Sequence, residues 1–221
     1  MKFDETNTFC ISANAARWLR MVARFSEIGL SCDQWIATKP EETTDVFYEK
    51  LNPFQKACAQ SHINIWRHIV NNDLPYAFIM EDDACFDILW REKLDEIDEI
   101  LCISCHSGST EGKWDGIFLN ASEPMQPLFT WDIVQEQYFC GGYILSNAGA
   151  RWLLNEFGDC FYSADWMSTR MQLRGRSYSY YPWLIIQEGL ESTIGSGVSL
   201  DHSKVVSCLS SDEYSLDNYV I

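Results

Sequence analysis

The feature that most constrains this chain is the apolar run Tyr76-Ala77-Phe78-Ile79-Met80, which passes without a break into Glu81-Asp82-Asp83. Five apolar or aromatic residues introduced by Pro75 read as a buried strand, the kind found in a sheet covered by helices on both faces. Three carboxylates at the end of such a strand raise one another's free energy unless a cation shares them. Ligands of open α/β sheets bind beyond the carboxyl ends of the strands, where Glu81, Asp82 and Asp83 fall. Oxygen-only ligation suits magnesium or manganese, which keep water positions that substrate phosphates can fill. A solvated acidic loop capping the next helix is the reading that spacing alone leaves open.

The rest of the chain supplies the sheet this strand needs. Thr8–Ser12 reads as a short strand, and a helix over Ala13–Ile28 follows, with Trp18, Leu19, Val22, Phe25 and Ile28 near helical spacing and Gly29 as its stop. A strand over Asp33–Ala37 leads into a polar loop, Thr38–Thr44. Asn52 and Pro53 stand at cap and first-turn positions of a helix reaching about Asn71. Further on, the pattern predicts a helix over Trp90–Leu101 and strands at Gly116–Leu119 and Gly141–Ser146. Asn147 is expected to cap a helix through Phe157, and Ser163 one that carries Asp165, Trp166, Met167 and Met171; a strand at Tyr180–Ile186 comes last. Strands alternating with helices imply an α/β fold with a largely parallel central sheet. There is no internal repeat. A chain of 221 residues suits one large domain, expected over residues 1–196, with a Ser/Asp-rich wrap or tail over 197–221.

Charge narrows the partners. Sixteen Lys and Arg against 32 Asp and Glu leave a formal charge of -16, which repels phosphate backbones and anionic lipid, so no nucleic acid is expected as partner. An anionic ligand then needs a local reversal of sign, and a bound divalent cation provides one. Met1–Asn7 is polar, and no run approaches the roughly 18 apolar residues of a membrane span, so a soluble, cytoplasmic protein is expected. Nine cysteines in a chain of this size fit reduced, mostly buried thiols. Cys102-Ile103-Ser104-Cys105-His106 has c-type haem spacing, but haem attachment requires export, and the end of an amphipathic helix explains the same residues. A zinc site there lacks a second ligand pair nearby. The sequon Asn120-Ala121-Ser122 would matter only in a secreted protein.

Four further candidates carry chemistry. Asp165, in a first helical turn, complements the helix dipole on the simplest reading and acts as a general base on the functional one. His62, beside Ser61 in mid-helix, is either a hydrogen-bonded core residue or a contact to a phosphate or sugar hydroxyl. His202, next to Asp201, is an exposed tail residue or a metal ligand. Gly141-Gly142 either lets a ligand approach the backbone or starts a tightly packed strand.

Taken together, these residues resemble a family. Lys56-Ala57-Cys58-Ala59-Gln60-Ser61-His62-Ile63, Trp66 and Tyr76 through Ala84 look like the central block of glycosyltransferase family 25. Trp114-Asp115-Gly116-Ile117-Phe118-Leu119, Gly142-Tyr143-Ile144-Leu145-Ser146 with Gly149-Ala150, Asp165-Trp166, and Gln187 with Ser192-Thr193-Ile194 are similar to its later motifs, so the likeness runs over about residues 8–196. The resemblance implies a single GT-A, Rossmann-like domain, an inverting reaction, manganese or magnesium, a nucleotide-diphosphate sugar (UDP-sugar) donor and an oligosaccharide or glycoprotein acceptor. It makes Glu81-Asp82-Asp83 the family's DxD motif. Asp83 and Glu81 are then metal ligands, joined by His202 on the separate reading of its place beside Asp201, and Glu81 and Asp82 hold ribose or donor sugar. Asp165 becomes the acceptor-activating base. Ser12, Arg17 and Thr38 fall where strand ends meet the nucleotide, with Ser61, His62, Gly141, Gly142 and Tyr143 as further substrate contacts. The chain departs from the pattern at Ser12-Ala13, where the family usually has Asn-Leu. A metal-dependent phosphoesterase or nucleotidyltransferase, or a silent sugar-nucleotide-binding module, remain the alternatives, and the compact length is compatible with a part of a larger polypeptide.

Overall fold

Strand β1 (Thr8–Ser12), buried along its whole length, lies between β2 (Asp33–Ile36) and β3 (Tyr76–Glu81) and is parallel to both. The computed structural model describes residues 1–101, 113–138, 140–188 and 214–221. Helix α1 (Ala15–Ile28) connects β1 to β2, and α2 (Pro53–Asn71) connects β2 to β3. The chain therefore leaves β1 on one side and returns on the other, so the strand order reverses between β1 and β3. At such a switch point the two connections diverge and leave a crevice at the strand ends.

The sheet continues from β3 to β7 (Gly142–Ser146), β5 (Gly116–Phe118), β8 (Ser177–Tyr181) and β6 (Thr130–Ile133). Its order is β2-β1-β3-β7-β5-β8-β6, with β7 and β6 running against the other five strands. The architecture is α/β with a mostly parallel central sheet, as the alternating pattern predicts. A smaller antiparallel sheet joins β4 (Ala84–Asp87), β9 (Ile185–Gln187) and β10 (Tyr219–Val220) in the order β10-β4-β9. Residues of the Ser/Asp-rich C-terminus thus supply a strand.

Helices cover both faces because β3 alternates. Ala77 and Ile79 join a core with Ile63, Ile65 and Trp66 of α2, Leu153 of α4 (Asn147–Phe157) and Met167 of α5 (Ala164–Gln172). Phe78 and Met80 face Met21 and Phe25 of α1 and Leu94 and Ile97 of α3 (Trp90–Leu101). The run is apolar throughout since each face is buried.

Local chemistry moves some predicted boundaries. Helix α1 starts at Ala15, because the Asn14 side chain accepts hydrogen bonds from the amides of Ala16 and Arg17. Ser146, not Asn147, caps α4 by accepting from the Gly149 amide; the Asn147 side-chain amide donates instead to the carbonyls of Ile69 and Leu74. Ser163 holds the N-cap position of α5 without a side-chain hydrogen bond. The expected strand at Tyr180–Ile186 divides into β8 and β9, which belong to different sheets, around Pro182, which has no amide hydrogen for a ladder. Cys102, Cys105, His106, Ser192-Thr193-Ile194 and His202 lie outside the described residues. Among the described residues no helix is long and apolar enough to cross a membrane.

Candidate functional site

The carboxyl ends of β1 and β3 meet at the switch point, bringing Ser12 beside Glu81-Asp82-Asp83. Ser12, buried at the end of β1, donates its hydroxyl to Asp82 Oδ2 at 2.6 Å. The first turn of α1 adds Arg17, whose guanidinium lies 2.7 Å from Asp82 Oδ1 and 3.3 Å from Asp83 Oδ2. The Asn14 cap places that turn, since the carboxamide oxygen holds the amide of Arg17 itself. Asp83 also accepts from Gln187 Nε2 at 3.4 Å, and its carbonyl accepts from the Glu188 amide. Glu188 in turn pairs with the buried Arg24 at 2.7 Å, tying the end of β9 to α1. Glu188 and Arg24 are members of this constellation that sequence reasoning did not single out, because they lie 164 residues apart along the chain; Gln187 entered only with the closing segment of the family resemblance, 104 residues from Asp83.

The end of β3 divides the acidic triplet, Glu81 being the last strand residue and Asp82 and Asp83 lying in the turn that follows. Glu81 follows Ala77 and Ile79 onto the α2 face, whereas Asp82 and Asp83 turn toward α1. His62 of α2, almost fully buried, has its Nε2 3.5 Å from Glu81 Oε1. Its Nδ1 lies 2.9 Å from the Tyr143 hydroxyl, which also accepts from Trp66 Nε1 at 2.9 Å. Ser61 works locally: its hydroxyl oxygen accepts the Thr38 amide at 2.9 Å and so fixes the loop after β2. The space beside Gly141 and Gly142 is taken by protein. A Cβ at Gly141 would meet Gln187 and Asn120, and one at Gly142 would lie 2.4 Å from Ile185 Cδ1.

Electrostatics follows burial. Desolvation and the charge of Glu81, with Asp82 adding to them, push the Asp83 carboxyl up to about 7, although Arg17 opposes the shift. Burial also raises the Asp82 carboxyl, with the Ser12 hydrogen bond and Arg17 pulling it down. These oxygens form a hard donor set in which anionic charge is incompletely neutralised by one guanidinium, and a divalent cation suits it.

Asp165 lies in the first turn of α5, partly exposed, its Oδ1 accepting from the Trp166 amide at 2.8 Å. Its charge and that of Glu81 both raise the thiols of Cys58 and Cys140, although burial is the larger cause for each. Asp165 thus shares the neighbourhood of Glu81 on the α2 side. Trp166 stacks near Tyr162, ring centroids 4.4 Å apart, with the Arg170 guanidinium 4.7 Å over it.

Comparison with known proteins adds decisive weight. The model of glycosyltransferase family 25 (LPS biosynthesis protein) matches residues 6–112, spanning β1 through the acidic edge and α3. The chain is also similar to procollagen galactosyltransferases 1-B and 1-A of Xenopus laevis, 29% and 28% identical over 109 residues. Each alignment covers 46% of this chain and 17% of the relative. Ser12, Arg17, Thr38, Ser61, His62 and the acidic triplet fall inside the residues that match the family model; Gly141, Gly142, Tyr143 and Asp165 fall beyond them.

Proposed function

We propose that this protein is a metal-dependent, inverting glycosyltransferase that moves a sugar from a UDP-sugar to a hydroxyl of a glycan or protein-linked acceptor. The observation that carries the reading is that the stretch matching the family model assembles Ser12, Arg17, Asp82 and Asp83 at one switch-point crevice. The relatives named as procollagen galactosyltransferases support sugar transfer with a protein-linked acceptor. Asp83 and Asp82 are the carboxylates to hold manganese or magnesium, and a bound ion of this kind supplies neutralisation of the charge that grows on a departing diphosphate. Arg17, at the N-terminal turn of α1, offers a fixed positive charge to the same diphosphate. Ser12 keeps Asp82 oriented. Asp165 is the base that takes the proton from the attacking hydroxyl, which then displaces the nucleotide from the opposite face of the sugar.

The test measures UDP-sugar binding by calorimetry with manganese, then UDP release with a panel of hydroxyl acceptors. Asp83→Ala is expected to abolish manganese-dependent binding, and Asp165→Asn to spare binding while lowering turnover at least about a hundredfold. Release of phosphate without acceptor would favour a phosphoesterase. Donor binding with no transfer across the panel would favour a silent sugar-nucleotide module.

A further inference from the structure

Cys58 and His62 are four residues apart on α2, so their side chains share one helical face, and Glu81 reaches that face from the end of β3. The thiol of Cys58, the imidazole of His62 and the carboxylate of Glu81 offer ligand atoms that all lie within 4.8 Å of one another. A second observation points to a ligand: His62 Nε2 is buried with no hydrogen-bond partner, in a side chain only 1% exposed. A buried imidazole nitrogen left unpaired is costly, and the geometry that would satisfy it is a bond to something between Glu81 and Cys58. Glu81 Oε1, 3.5 Å away, makes no hydrogen bond to it, yet that distance is close to the separation of two ligands on one ion.

We infer that Cys58, His62 and Glu81 form a binding site for a zinc-class divalent ion, distinct from the Asp82–Asp83 edge and independent of the glycosyltransferase reading. A mixed sulfur, nitrogen and oxygen set selects zinc over magnesium or manganese, and three protein ligands leave a fourth position open. The outer partner is in place. With an ion on Nε2 the proton of His62 sits on Nδ1, and the Tyr143 hydroxyl oxygen, 2.9 Å away and already accepting from Trp66, is placed to take it. On binding, Cys58 passes its proton to solvent and ligates as the thiolate. The ion ties the middle of α2 to the last residue of β3, on the side of the sheet where Asp165 also lies.

Cobalt(II) titrated into chelator-treated protein reads the site, because thiolate ligation adds a near-ultraviolet charge-transfer band and tetrahedral geometry adds strong visible bands. One equivalent of cobalt, displaced by zinc, is expected. Cys58→Ser should remove the charge-transfer band, and His62→Gln and Glu81→Gln should weaken binding. Tyr143→Phe should weaken it about 10–100-fold while all three ligands remain. Asp83→Asn should leave the cobalt spectrum unchanged while losing manganese, which separates this site from the acidic edge. Since Cys58→Ser or His62→Gln could misfold, circular dichroism accompanies each variant. A second readout needs no variant: zinc should slow alkylation of Cys58 in the intact protein, followed by peptide mass spectrometry. A wild-type protein with no charge-transfer band, the same band in folded Cys58→Ser, or alkylation unchanged by zinc would each overturn the site.

Discussion

Asp83 shows how one residue can carry both cost and use. Its carboxyl, pushed from 3.8 to about 7 by burial and by Glu81, is protonated more readily in the folded chain than in the unfolded one. The folded state therefore gains stability below the unfolded value, and that gain is lost as pH rises through about 7. Metal-free protein is expected to lose thermal stability between about pH 4 and 7, and Asp83→Asn, which mimics the protonated form, should flatten that fall. Manganese added near pH 8 should restore the wild-type midpoint and leave Asp83→Asn unchanged. Melting curves recorded against pH, with and without the ion, decide the matter. Superimposable profiles for the two proteins would remove Asp83 as the titrating group.

At the scale of elements, the cap of α1 and the first turn of α4 call for different tests. Asn14 satisfies two amides at the start of α1, one of them that of Arg17, so the same side chain that begins the helix also places the guanidinium over Asp82 and Asp83. Asn14→Ala should cost about 1 kcal/mol of stability in urea unfolding. It should also weaken UDP-sugar binding, because Arg17 loses its fixed turn; Asn14→Ser, which caps equally well, should recover both. Gly149 is constrained by contact rather than by dihedral angle. A Cβ there would lie 2.4 Å from the carbonyl oxygen of Asp115, where α4 sits against the start of β5. Backbone cannot give way as a side chain can, so Gly149→Ala is expected to cost about 1–3 kcal/mol in the same assay.

Across the whole molecule, the C-terminal residues close the second sheet around a buried charge. Asp87 is fully buried on β4, and Lys93 Nζ lies 2.8 Å from it between the rings of Tyr180 and Tyr214. The Tyr214 hydroxyl donates to the same carboxylate, and Tyr219 and Val220 pair with Asp87 and Phe86. Burial raises the Asp87 carboxyl, and Lys93 is what offsets it. Lys93→Met should strand that carboxylate and cost about 3–5 kcal/mol, read from the urea midpoint. Combining it with Asp87→Leu should recover most of the loss, since an uncharged, apolar pair carries no desolvation penalty.

Much of this was legible in the residues because local signals are strong where burial is two-sided. The Tyr76–Met80 run, the Asn52-Pro53 start of α2 and Gly29 at the end of α1 each state their structure through apolar pattern, capping or a left-handed turn. Strand β6, exposed at the sheet edge, carries no such pattern, and β4 and β10 are too short to show one. The acidic triplet announced a charge problem, and Cys58 with His62 stood at a spacing that puts two ligands on one helical face. Which way each carboxylate points was decided by where β3 ends and its turn begins, and which cation meets it by the packing of α1 and α2 on opposite faces. The sequence by itself determined that charge gathers after β3; the tertiary structure alone divided it, giving Asp82 and Asp83 to Arg17 and Glu81 to His62, because β3 ends at Glu81 on the α2 face while Asp82 and Asp83 lie in the turn beyond it, against α1.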